Sequence, residues 1–111
     1  MNGDLVARFL EVEGAARDME HASRRLQRTA VELKTAVERG SSIRQLYEDG
    51  SGTAARREAL RSWARLNQAL YRARVQSVRA LIDEEGFSFT ETGRLLGISR
   101  QTAAALYHGH K

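Results

Sequence analysis

Apolar residues recur at alternating spacings of four and three along the first 37 residues of the chain. One set of positions, seven residues apart, is Leu5, Val12, Met19, Leu26 and Leu33. The interleaved set is Phe9, Ala16, Ser23, Ala30 and Val37. Such heptads are typical of a coiled coil or of a long helix in a bundle. We therefore predict one long helix, capped by Asn2 and ended by Gly40, with both sets forming its packing seam.

Two further helices are predicted in the middle of the chain. Ser42 and Gln45 have the spacing of a capping box, which predicts a short helix over residues 42–48. After a connection at residues 49–52, Thr53 is expected to cap a second long helix that runs to Glu85. Its apolar spacing favours core packing for Trp63. The two long helices could pair within one chain or between two chains.

The last part of the chain has the pattern of two short helices joined by a tight turn. Ser88 and Glu91 form a second capping box, and Gly97 is placed to end this helix with a positive φ. Ser99 is expected to cap the next helix, which runs to about His108. A two-turn helix, a Gly-Ile-Ser corner and a further helix predict a helix-turn-helix, so the fold class is all-α throughout.

Residues 73–108 resemble bacterial helix-turn-helix regulators and the C-terminal DNA-binding segments of resolvases and sigma factors. The resemblance is carried by Leu96-Gly97-Ile98-Ser99-Arg100 and by Thr102, which span the corner and open the recognition helix in those families. The chain departs from the common pattern where Gly93 replaces the usual alanine, and where Thr92 and Ala103 replace larger aliphatic residues. The first 50 residues carry no comparable resemblance.

The resemblance implies that the second helix of the pair enters the major groove of double-stranded DNA. Arg100 has the donors that recognise guanine, Gln101 can pair with adenine, and Ala104 could contact a thymine methyl group. Gly97 and Ile98 form the turn. The residues expected to contact phosphates, which position the protein without reading sequence, are Thr90, Arg94, Ser99, Arg79 and His108.

Composition and charge narrow the functional classes. The chain of 111 residues has no cysteine, which excludes disulfides and thiolate metal sites. Its net charge is +4, and residues 51–111 hold 10 Lys/Arg against 5 Asp/Glu, whereas residues 1–50 hold 8 against 9. The basic half is thus the half with the helix-turn-helix. No apolar run approaches the roughly 20 residues of a membrane span. Since the lack of cysteine fits a reducing cytoplasm, we expect a cytoplasmic protein, associated with the nucleoid through DNA.

Candidate chemistry is sparse. No nucleophile–base set and no glycine-rich phosphate loop occurs, so we expect no enzyme activity and no cofactor. His108 and His110 form a His-x-His pair, but without nearby carboxylates it is a poor metal site, and no small-molecule ligand is indicated. Arg65, Arg72 and Arg79 repeat every seven residues, which fits either a phosphate-tracking stripe or a solvated face with local ion pairs.

The leading hypothesis is a bacterial or phage transcriptional regulator, of repressor type, that binds DNA as a homodimer. Residues 1–52 would form the dimerisation region and residues 53–111 the long helix and the DNA-binding domain. A regulatory protein partner could control it. The alternative is a helical scaffold whose C-terminal unit binds protein, whereas the mixed charges of the first helix argue against a membrane-surface role. The expected dimerisation residues are Leu5, Phe9, Val12, Met19, Leu26 and Leu33.

Overall fold

Five α-helices make up the fold of the computed structural model, which describes residues 3–109. No strand occurs within these residues, so the all-α prediction is confirmed. The predicted cap Asn2 lies outside the described residues. In chain order the helices are α1 (Gly3–Glu38), α2 (Ile43–Tyr47), α3 (Ser51–Asp83), α4 (Phe89–Leu96) and α5 (Arg100–Tyr107).

Local signals place most helix ends where the sequence predicts them. Gly40 has a φ of 87°, and the N–H of Ser41 donates to the carbonyl of Ala36 at 3.0 Å, which closes α1. In the α2 capping box, the N–H of Gln45 donates to the Oγ of Ser42 at 3.2 Å, and the Ser42 N–H donates to the Gln45 Oε1 at 2.8 Å. Both predicted ends are therefore confirmed.

The predicted bounds of the second long helix are wrong by three residues at its start and by two residues at its end. α3 begins at Ser51 rather than after Thr53, and it ends at Asp83 rather than at Glu85. Asp49 explains the early start, because its Oδ1 accepts hydrogen bonds from the Ser51 N–H at 2.9 Å and from the Ser51 Oγ at 2.8 Å. These bonds organise the connection into the first turn of α3 and hold the pKa of Asp49 below its ordinary value.

The residues group into two compact units, one of residues 13–67 and one of residues 3–12 with 68–109. In the first unit, Arg65 lies 3.1 Å from Asp18, and Arg25 pairs with Glu58. In the second, Arg72 lies 3.8 Å from Glu11. Each pair joins α1 to α3 of the same chain. From Asp18 to Arg25 the residue number on α1 rises, while that of the partner on α3 falls from Arg65 to Glu58. In the unit of residues 13–67 the two long helices therefore pair antiparallel, and in both units α1 pairs with α3 of the same chain.

Small residues form the contact between α1 and α3 in the unit of residues 13–67. The buried positions of α1 are Ala15, Ala22 and Thr29. α3 buries equally small residues, among them Ala55, Ala59 and Ser62. Small side chains let two helices approach closely, because the residues at the contact set the distance between helix axes. The predicted interleaved set is wrong by one position, since Ala16, Ser23 and Ala30 are exposed.

The large apolar residues are only partly covered within the chain. Of the predicted dimerisation residues, four are half-buried and two are exposed. The expectation of Trp63 in the core is wrong, because 53% of its surface is exposed, next to Leu60 at 50%. Trp63 follows Ser62, and it is Ser62 that occupies the buried position. The half-buried residues are Leu5, Val12, Met19 and Leu33, and the exposed ones are Phe9 and Leu26.

Candidate nucleic-acid interface

The start of α4 is held by a complete capping box. The Oγ of Ser88 accepts a hydrogen bond from the N–H of Glu91 at 3.0 Å, and the Ser88 N–H donates to the Glu91 Oε1 at 3.1 Å. These two contacts satisfy backbone donors that have no partner inside the helix. The hydrogen bonds from Ser88 hold the pKa of Glu91 below its ordinary value. The predicted capping box is confirmed.

A three-residue turn links α4 to α5. Gly97 has φ and ψ of 71° and 32°, the left-handed conformation expected for the end of α4. The N–H of Ile98 then donates to the carbonyl of Gly93 at 2.9 Å. Ser99 caps α5, since its Oγ accepts from the N–H of Thr102 at 3.0 Å. α4 and α5 pack against each other across this turn, as the positions of Gly97 and Ser99 predict.

The inside of the corner is packed too tightly for a larger residue at Gly93. A Cβ atom added to Gly93 would lie 2.7 Å from the carbonyl oxygen of Ile98 and 3.3 Å from that of Ser99. Both neighbours are backbone atoms, so the alanine that is usual in the resembling families does not fit here without a shift. Thr92, beside it, is fully buried, and its hydroxyl has no hydrogen-bond partner within residues 3–109.

α5 has one buried face and one exposed face. Ala103 and Leu106 are buried, whereas Arg100 and Gln101 are exposed and Ala104 is half-buried. With about 100° of rotation per residue, the three predicted base-reading residues span an arc of roughly 100° on the side away from Leu106. The side chains of Arg100 and Gln101 make no hydrogen bond or ion pair with the described part of the chain, so their donors are available to a ligand.

The predicted phosphate-contacting residues fall at both ends of the helix pair. Thr90 and Arg94 are exposed on α4. Arg94 lies in the last turn of this helix, three residues before Gly97. Ser99 uses its hydroxyl inside the cap, where the Oγ also donates to the Oγ1 of Thr102 at 2.8 Å. Arg79 and His108 lie instead at the C-terminal end of α5, about 12 Å of helix away from Arg100.

A cluster at that C-terminal end was not expected from the sequence. The Nε of Arg79 donates to the carbonyl of Tyr107 at 3.1 Å, and the Tyr107 hydroxyl donates to the Oδ1 of Asp83 at 2.7 Å. The Tyr107 ring also meets Phe89 edge-on at 5.6 Å and His108 at 5.2 Å. The hydrogen bond to Asp83 raises the pKa of Tyr107. Arg79 and Asp83 are four residues apart on α3 and so share one helix face. That spacing is the feature of the sequence from which a shared contact with α5 could have been predicted.

The three arginines of α3 that lie seven residues apart each contact another residue of the same chain. Arg65 pairs with Asp18 in the unit of residues 13–67. In the other unit Arg72 pairs with Glu11, and Arg79 binds the Tyr107 carbonyl. The pair of Arg65 with Asp18 fits the solvated face with ion pairs, whereas Arg72 and Arg79 each use only part of their guanidinium group in these contacts.

Neither a cluster of potential metal ligands nor a membrane-spanning helix occurs in the described residues. Residues 3–109 contain no group of three or more His, Cys, Asp or Glu side chains that could hold a metal ion. The predicted His-x-His pair cannot be placed, because His110 lies outside this range. None of the five helices is long and apolar enough to cross a membrane.

The helix pair and its turn thus form one local site. Comparison of the chain with known protein families, with characterised proteins and with solved structures gives no match. The interpretation of the site therefore depends on the geometry of α4, the Gly97 turn and the exposed face of α5.

Proposed function

We propose that the protein is a sequence-specific regulator that binds double-stranded DNA, with α5 as its recognition helix. The observation that carries the proposal is the exposed face of α5. Arg100 and Gln101 project from its first turn with their donors unused by the described residues, while Ala103 and Leu106 anchor the opposite side. A short helix that is packed against the protein on one face, and that carries bidentate hydrogen-bond donors at the N-terminal end of its exposed face, is suited to the major groove.

Contacts outside the base edges would position this helix. Arg94 on α4 and the backbone N–H groups at the start of α5 lie on either side of the Gly97 turn, where a DNA phosphate could bind both. One helix-turn-helix reads only a few base pairs, so we propose that the protein acts as a homodimer of repressor type on two half-sites.

In-vitro selection of bound duplexes, followed by affinity measurements on the selected site, tests the proposal. Arg100→Ala and Gln101→Ala should each remove roughly 1–3 kcal/mol of discrimination at particular base pairs. Arg94→Ala should weaken binding to every sequence and lower the salt slope by about one unit. Arg74→Ala and Gln68→Ala, two exposed positions of α3, serve as matched controls and should leave discrimination unchanged.

The competing function is a scaffold whose C-terminal unit binds protein. That function predicts that selection enriches no DNA sequence. It also predicts that Arg100→Ala and Arg74→Ala do not differ in their discrimination between DNA sequences. Enrichment of a two-fold symmetric site, lost in Arg100→Ala and kept in Arg74→Ala, would instead support the regulator.

A further inference from the structure

A cavity lies in the unit of residues 3–12 with 68–109, apart from the exposed face of α5. It has a volume of about 210 Å³ and is open to solvent. α1, α3 and the residue that follows α5 by two positions all contribute to its walls. The lining residues are Arg8, Tyr71, Arg72, Val75, Gln76, Arg79 and Gly109.

Three guanidinium groups converge on this cavity, and their internal partners leave most of their donors unused. The Nη1 of Arg8 lies 2.8 Å from the Oε1 of Glu11, and the Nη1 of Arg72 lies 3.8 Å from the other oxygen of the same carboxylate. Arg79 uses its Nε for the Tyr107 carbonyl. Each guanidinium carries five N–H donors. Three of the described lining residues are cations and none is an anion, and Glu11 pairs with only two of these cations, so the described residues leave an excess of positive charge at the cavity.

The lining has the chemistry of an oxyanion site. Guanidinium groups match the oxygen geometry of phosphate and bind it with paired, charge-assisted hydrogen bonds. Gln76 adds a neutral amide donor, and Val75 gives an apolar wall. The volume is below the range of roughly 300–1,000 Å³ typical of drug-sized ligands, so it suits one or two phosphoryl groups rather than a whole nucleotide.

We propose that this cavity binds a phosphate group through Arg8, Arg72 and Arg79. The site is distinct from the α5 face, and its existence does not depend on base reading by Arg100. Because Arg79 also binds the last carbonyl of α5, the phosphate site adjoins the C-terminal end of the proposed recognition helix. The phosphate could belong to a small molecule or to a DNA backbone.

Calorimetric titration of the full chain with inorganic phosphate and with pyrophosphate, at low ionic strength, tests the site. Pyrophosphate should bind saturably, with one site per chain. Arg72→Gln and Arg8→Gln should each weaken it by about tenfold, since each removes a charged donor pair. Arg74→Gln removes an equal charge from an exposed position of the same helix, outside the cavity, and should leave the affinity unchanged.

A further variant moves the affinity in the opposite direction. Glu11→Gln removes the carboxylate that competes for Arg8 and Arg72, so it should tighten pyrophosphate binding several-fold. Circular dichroism confirms that each variant keeps its helices. The proposal is overturned if no saturable binding occurs, or if Arg74→Gln weakens binding as much as Arg72→Gln, because that result describes diffuse surface charge.

Repeating the titration in the presence of saturating duplex identifies the source of the phosphate. Loss of pyrophosphate binding would show that a DNA phosphate occupies the cavity, and retained binding would identify a free phosphorylated molecule as its ligand. The titration without DNA stands even if base reading by α5 fails, so the two proposals can fail separately.

Discussion

Gly93 and Gly14 are both helical glycines, but their surroundings give them different roles. An added Cβ at Gly93 would lie 2.7 Å from the backbone oxygen of Ile98, whereas at Gly14 it would meet nothing within 4 Å. Neither residue has a positive φ, so steric space alone separates them. Glycine costs a helix roughly 1 kcal/mol relative to alanine wherever the larger side chain fits.

We expect Gly93→Ala to lower the free energy of unfolding even though alanine is the better helix former. The new Cβ would force the Ile98 carbonyl to move. This shift would disturb the turn that the hydrogen bond from the Ile98 N–H to the Gly93 carbonyl closes. Gly14→Ala, the matched control, should raise the free energy of unfolding by about 1 kcal/mol. Urea denaturation measures both. Equal stabilisation by the two substitutions would show that the corner is looser than the structure describes.

Glu91 makes stability depend on pH through the cap of α4. Its pKa lies below its ordinary value because hydrogen bonds from the Ser88 backbone N–H and side-chain hydroxyl stabilise the charged form. The ionised carboxylate therefore contributes stability above the ordinary pKa, and this contribution is lost as the pH falls through the lowered pKa.

Glu91→Gln keeps the acceptor of the capping box but does not titrate. The difference in thermal midpoint between the wild type and this variant should stay constant from pH 7 to about 5. Between about pH 5 and pH 3, the midpoint of the wild type should fall relative to that of the variant. All other carboxylates are shared by the two proteins, so the difference isolates Glu91. A difference that stays constant down to pH 3 would contradict the assigned role.

At the scale of elements, the pairing of α1 with α3 rests on small side chains rather than on a leucine seam. Ala22 is fully buried, and Ser62 on α3 is nearly so. The flanking ion pairs, such as Arg65 with Asp18, are mostly exposed and contribute at most about 1 kcal/mol each. Close packing along the small residues therefore outweighs the charges in fixing this pairing.

Ala22→Leu should destabilise the protein by about 1–3 kcal/mol or more, because the larger side chain forces the two backbones apart. Ala16→Leu makes the same chemical change at an exposed position of the same helix and should alter stability by less than about 0.5 kcal/mol. Chemical denaturation monitored by circular dichroism distinguishes them. If Ala16→Leu were the more harmful change, the predicted seam of Ala16, Ser23 and Ala30 would be the true one.

At the scale of the whole molecule, several large apolar residues are left exposed by the packing of a single chain. Trp63 and Leu60 are each about half exposed on α3, in the unit of residues 13–67. Exposed apolar patches of this kind are typical of association surfaces. A second copy of the chain would cover them and would supply the second recognition helix that the proposed function requires, ideally about 34 Å from the first.

We expect the wild type to sediment with about twice the chain mass of 12.4 kDa. The variant Leu60→Glu/Trp63→Glu should be monomeric, because assembly would have to bury its charges. Leu95→Glu, at a still more exposed apolar position on α4, serves as the control and should remain dimeric. Leu33 is a poorer target than Leu60, since its Cδ1 lies close to Gly52 of its own chain. A wild-type mass near that of a single chain would rule out the homodimer.

The sequence by itself determined the features that depend on neighbours three to five residues away. The two capping boxes, the left-handed glycines at Gly40 and Gly97 and the Ser99 cap all follow from local hydrogen bonds and local sterics, which an isolated segment already contains. The exposed positions of Arg100 and Gln101 follow from the same local geometry, once the opposite face of α5 carries Leu106.

Only the tertiary structure decided which side of α1 faces α3. At Ala15-Ala16, Ala22-Ser23 and Thr29-Ala30, two small residues stand side by side, and a shift of one residue turns the helix by about 100°. The pattern cannot distinguish the two phases, because either residue of each pair would fit a close contact. The same long-range packing left Trp63 exposed, brought Arg79 to Tyr107, and collected Arg8 and Arg72 around one cavity. These contacts join residues more than 25 positions apart, and no local rule specifies them.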